Sequence, residues 1–77
     1  MNSKEYNYWI EKINQDAAEA SEEMSIAFPE MPKERYYNAW IKTHTKALDY
    51  LIAHNKEVNS YSLASTSSDI INRRIAI

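Results

Sequence analysis

The chain is predicted to be all-α: an antiparallel two-helix hairpin with a short C-terminal helix or extended tail, self-associating into a helical bundle. Three observations predict this. There is no glycine in 77 residues, and the Asn-Gly, Asp-Gly and Gly-X turns that close tight β-hairpins are therefore absent. Apolar residues recur at three- and four-residue spacing in two long segments, the signature of amphipathic helices. Both prolines fall in one short stretch between those segments, where they punctuate the chain rather than interrupt a helix.

The first helix is expected over about residues 4–24. Tyr6, Ile10, Ile13, Ala17, Ala20 and Met24 lie on one stripe, with Trp9 beside it. Asn2 followed by Glu5 resembles a capping box, and Glu5 also suits the positive end of the helix dipole. Residues 25–32, Ser-Ile-Ala-Phe-Pro-Glu-Met-Pro, form the connection, because each proline disfavours helical geometry in the residue before it. Pro32 then suits the first turn of the next helix, where its missing N–H is not needed.

The second helix is expected over about residues 33–58, with Tyr37, Ile41, His44, Leu48, Leu51, Asn55 and Val58 on its seam and Tyr36, Trp40, Ala47 and Ile52 flanking it. His44 and Asn55 are polar seam positions of the kind that set register or copy number in bundles. Residues 1–58 thus make up the helical hairpin. Residues 59–77 open with Asn-Ser-Tyr-Ser-Leu-Ala-Ser-Thr-Ser-Ser, rich in side chains that compete for backbone hydrogen bonds, and are read as a linker. Ser68-Asp69 would then cap a short element over residues 70–77, either a helix with Arg73 and Arg74 near its negative end or a β-like tail.

Size and charge bear on assembly and partners. A single domain this small buries a modest share of its surface, and such domains lean on disulfides, a metal or self-association. With no cysteine, disulfides and thiolate zinc sites are excluded and self-association is expected. Residues 1–24 carry two lysines against six acids, and residues 33–58 carry five bases against three acids, within a formal charge of −2. An acidic helix beside a basic one favours antiparallel packing, within a chain or between copies. The N-terminus has no apolar leader, and no stretch resembles a membrane span. A cytoplasmic location is expected.

Lack of glycine also excludes phosphate-cradling loops, dinucleotide fingerprints and nucleophile elbows. On one helix, His44 and His54 would lie about 15 Å apart, and no converging nucleophile accompanies either, so no catalytic residue is expected. His54 and Glu57 share a spacing of three, and Glu19, Glu22 and Glu23 cluster on helix 1. A di-metal bundle needs inward Glu-x-x-His pairs, which this order reverses, so neither metal nor cofactor is expected. Duplex nucleic acid is disfavoured by the acidic first helix.

Nine aromatic residues in a chain this short point toward binding. Tyr6, Trp9, Tyr37 and Trp40 follow the apolar stripes and are expected in the core. Tyr8, Tyr36 and Tyr50 fall away from them, so Tyr8 and Tyr50, with Glu19, Glu22 and Glu23, are the expected partner surface.

The stretch from Pro32 to His44, Pro-Lys-Glu-Arg-Tyr-Tyr-Asn-Ala-Trp-Ile-Lys-Thr-His, resembles the second helix of a phage family, the two-helix-hairpin anti-CBASS sponges. These are small oligomers that sequester cyclic oligonucleotide signals. The likeness covers about a third of the chain and rests chiefly on the Lys-Thr-His triplet after an Arg and an aromatic. It implies Tyr36, Tyr37, Lys42, Thr43 and Lys46 as ligand contacts. The first helix departs from the family, being acidic where the family carries a ligand-binding lysine, and the tail differs too.

The functional expectation is a non-enzymatic binding protein. Its small size and Asn/Lys/Ile/Ser-rich composition suggest a phage or mobile-element accessory that inhibits or regulates a host protein in an anti-defence role. The alternative is an oligomeric sponge for a cyclic nucleotide, and the third reading is a structural bundle component.

Overall fold

A computed structural model describes residues 1–76. It is all-helical: α1 spans Ser3–Ala27, α2 Lys33–Ala53 and α3 Ser60–Ile71, with no strand among the described residues. The chain divides into two compact units, Met1–Lys42 and a second beginning at Thr43. The division falls inside α2.

In the first unit, α1 starts where the cap predicts. The Asn2 Oδ1 accepts a 2.8 Å hydrogen bond from the Glu5 N–H, and the Tyr6 N–H donates to the Asn2 carbonyl at 3.0 Å. The helix continues one turn past the expected end at residue 24, to Ala27, where the Phe28 N–H still donates to the Met24 carbonyl at 2.8 Å. Pro29 then stops it. The turn is tied by the Met31 N–H donating to the Phe28 carbonyl at 3.2 Å, and α2 opens with the Arg35 N–H donating to the Pro32 carbonyl at 3.0 Å. Ala18 and Ser21 of α1 and Lys33, Glu34 and Tyr37 of α2 line one hollow, so the chain reverses across the turn as a helical hairpin.

The buried row of α1 is Ile13, Ala17 and Ser21. The predicted stripe ran on through Ala20 to Met24, yet Ala20 is half-buried and Met24 exposed. The buried row instead follows the four-residue ridge of the helix, which brings in Ser21, whose hydroxyl is satisfied by donating to the Ala18 carbonyl at 3.1 Å. Tyr6, Trp9, Tyr37 and Trp40, expected in the core, are only half-buried.

In the second unit, α2 buries Ala47, Leu48 and Leu51, and α3 buries Leu63, Thr66 and Ser67. The expected run of α2 to residue 58 is corrected: the helix ends at Ala53. Asn55 adopts a left-handed φ of 52°, its N–H donates to the Ile52 carbonyl at 3.1 Å, and the Lys56 N–H donates to the Leu51 carbonyl at 2.9 Å. These are the paired bonds of a Schellman cap, with asparagine, the best substitute, where glycine is usual. Asn55 is therefore an exposed stop signal rather than a seam residue.

The linker reading of residues 59–68 is also corrected. Asn59 and Ser62 form a reciprocal capping box: the Asn59 Oδ1 accepts from the Ser62 N–H at 2.7 Å, and the Ser62 Oγ accepts from the Asn59 N–H at 2.9 Å. The serines and threonine that suggested a linker lie along α3, two of them buried. The tail element expected over residues 70–77 gives way accordingly, since α3 ends at Ile71 and Asp69 lies inside it. A second Schellman cap closes α3, with the Arg73 N–H donating to the Ile70 carbonyl at 3.1 Å and the Arg74 N–H to the Asp69 carbonyl at 2.8 Å. Arg73 takes the left-handed position at φ 56°. Ile77 lies outside the described residues.

Candidate functional site

The acidic residues proposed for a partner surface, Glu19, Glu22 and Glu23, all lie exposed on α1. Their spacing continues to Ile26, three residues beyond Glu23 and four beyond Glu22, so the four side chains share one helical face. Ile26 is 78% exposed. None of the three glutamates has an ion-pair partner among the described residues; the ion pair of α1 is Lys12 Nζ to Asp16 Oδ1 at 3.3 Å, on the preceding turns.

This face works against the helix that carries it. Like charges three and four apart repel, and the last turn of α1 holds no base to offset them. The Ser25 Oγ donates to the Glu22 carbonyl at 2.8 Å, which leaves the carboxylates uninvolved. Phe28 and Met31 are exposed at the turn that follows α1; Met24, one helical turn before Phe28, falls on the opposite side of α1 from the strip.

The aromatic members of the predicted surface divide. Tyr8 is 59% exposed and meets the Trp9 ring edge-on, with centroids 5.1 Å apart. Tyr50, expected to be exposed, is half-buried, and its ring stacks on His54 at 4.0 Å. His54 is held there by its Nδ1, which pairs with the Tyr50 carbonyl at 2.9 Å. Tyr36 is half-buried as well. The most exposed aromatic is Tyr61, at 82%, which sequence reasoning passed over because its segment was read as a linker. The Asn-x-x-Ser cap before Leu63 was the signal that could have placed it on a helix.

The residues implied as ligand contacts fall into both units. Tyr36, Tyr37 and Lys42 belong to the first, Thr43 and Lys46 to the second. Tyr37 lines the hollow of about 360 Å³ with Ala18, Ser21, Lys33 and Glu34. Lys46 lines a different hollow with Ile70, Arg73, Ile75 and Ala76. Lys42 is exposed, and Thr43 is half-buried.

Among the described residues, no three His, Asp or Glu side chains are placed to hold a metal ion. The suggested His54 and Glu57 pair shares no helical face, since both lie beyond the end of α2. No helix is long and apolar enough to cross a membrane among the described residues. Comparison with protein families, with curated proteins and with solved structures finds no match to this chain.

Proposed function

We propose that the chain is a non-enzymatic binding protein that engages a protein partner through the α1 face of Glu19, Glu22, Glu23 and Ile26. The single observation that carries this reading is the placement of three unpaired carboxylates where the helix itself is destabilised by them. Departures from local consistency concentrate at functional positions, and here the cost is recovered when a basic surface neutralises the strip. Ile26 would supply the dry centre of such an interface, with the acids as its charged border. In the fuller form of the proposal the protein self-associates and acts in a host cytoplasm as a phage or mobile-element regulator of anti-defence type. An anionic helix that competes with nucleic acid for a host enzyme is one way to do so.

The test compares capture of partners by the parent protein with capture by two variants, Glu19→Gln/Glu22→Gln/Glu23→Gln and Ile26→Ser. The expected result is a complex that weakens as salt rises and is lost in both, while the triple variant keeps or gains helix content because its repulsion is gone. Capture that persists in both variants, or is indifferent to salt, refutes the reading.

The cyclic-nucleotide sponge is the second proposal. It draws on the hollow where the Tyr37 ring, available for stacking, stands beside Lys33. Calorimetric titration with cyclic dinucleotides and trinucleotides decides it: heat that disappears in Tyr37→Leu and Lys33→Gln supports the sponge, and no heat removes it.

A further inference from the structure

The second unit carries an open hollow of about 360 Å³ lined by Lys46, Ile70, Arg73, Ile75 and Ala76. Its chemistry is divided: Ile70, Ile75 and Ala76 supply apolar walls, and Lys46 from α2 and Arg73 from the end of α3 supply two cations. Neither cation has an ion-pair partner among the described residues. The acid nearest to them along α3, Asp69, is already engaged, with Arg74 Nη1 3.6 Å from its Oδ1. Two like charges are therefore set at one hollow with no counter-charge of their own among the described residues.

The backbone under Arg73 adds an independent observation. Arg73 occupies the left-handed position of the α3 cap, at φ 56°, where a β-carbon is sterically disfavoured and glycine or asparagine is the usual occupant. The cap alone would be better served by glycine. What arginine brings to the position is its guanidinium, aimed from a turn held by two backbone hydrogen bonds, Arg73 N–H to the Ile70 carbonyl and Arg74 N–H to the Asp69 carbonyl.

We propose that this hollow binds a small amphiphilic anion, a phosphate or carboxylate head on a short apolar body. Arg73 offers the forked donors suited to such oxyanions, and Lys46 adds a point charge. The apolar body lies against Ile70, Ile75 and Ala76. The volume is at the small end of the range for small-molecule sites, which suits a short chain or single ring. The site is independent of the α1 acidic face, which lies in the other unit.

The experiment is a ¹H–¹⁵N NMR titration of the intact chain with octyl phosphate below its micelle concentration, alongside inorganic phosphate and octyltrimethylammonium. Octyl phosphate is expected to shift the amides of Lys46 and residues 70–76 saturably. Inorganic phosphate should bind at least tenfold more weakly, and the cationic amphiphile should leave these signals in place. Arg73→Gly is the informative variant, since it removes the guanidinium while relieving the backbone. It should weaken octyl phosphate at least fivefold with a melting temperature no lower than the parent's, and Lys46→Gln, on an exposed helical position, should do likewise. Shifts confined to other residues, equal binding of inorganic phosphate or of the cationic amphiphile, or parental affinity in both variants would overturn the proposal.

Discussion

At the scale of single residues, the contrast between Leu48 and Tyr37 is instructive. Both lie on the predicted seam of α2, but Leu48 is 0% exposed whereas Tyr37 lines an open hollow. Truncating a fully buried leucine removes transfer free energy and leaves a cavity, so Leu48→Ala should cost about 2–5 kcal/mol in urea unfolding. Tyr37→Ala should cost about half as much, because part of its ring is already in water. Ser67 behaves in the opposite sense. It is 3% exposed, and its Oγ has no hydrogen-bond partner among the described residues. A buried hydroxyl without a partner carries an unrecovered desolvation cost, so Ser67→Ala should raise stability by about 1 kcal/mol in the same assay. A fall in stability would mean that the hydroxyl is satisfied in solution.

At the scale of elements, glycine's absence shapes how the helices end. Both α2 and α3 close with Schellman bonds, and the left-handed residue is Asn55 in one and Arg73 in the other. The start of α3 depends on the Asn59–Ser62 box, which converts a hydroxyl-rich segment of weak helix formers into a helix by satisfying orphan N–H groups at its first turn. Asn59→Ala should therefore destabilise the protein by about 1 kcal/mol, with amide exchange accelerated first across residues 60–71. Ser62→Ala combined with it should cost less than the sum of the two single changes, because each partner's bond depends on the other. Additive costs in that double-mutant cycle would show that the reciprocal box does not act as a unit.

At the scale of the molecule, the buried apolar side chains among the described residues are few: Ile13, Ala17, Ala47, Leu48, Leu51 and Leu63, two of them in the first unit. Large apolar groups remain exposed, Ile26, Phe28 and Met31 among them. A small chain with so thin a core and no disulfide gains most by covering such groups with another copy, which supports the proposal of self-association. Association that buries surface only in the folded state makes the melting temperature depend on protein concentration. A hundredfold rise in concentration should accordingly raise the melting temperature measurably, and native mass spectrometry should show the matching oligomer. A melting temperature independent of concentration, with a single-chain mass, would refute self-association.

The all-α class, the Asn2 cap, the Pro29–Pro32 turn and the start of α2 were legible in the sequence. Each depends on groups a few residues apart, so local chemistry alone decides it. The acidic strip was legible for the same reason, since helical spacing places Glu19, Glu22 and Glu23 together wherever α1 packs. What only the tertiary structure decided were matters of competition between distant groups. Ser21 rather than Ala20 is buried because an actual packing line, and not an ideal period, selects the contact row. The serine-rich segment became α3 because burying Leu63 outweighs the weak helix preference of its residues. The hollow of Lys46 and Arg73 exists because folding brings together two residues that the sequence separates by more than twenty positions.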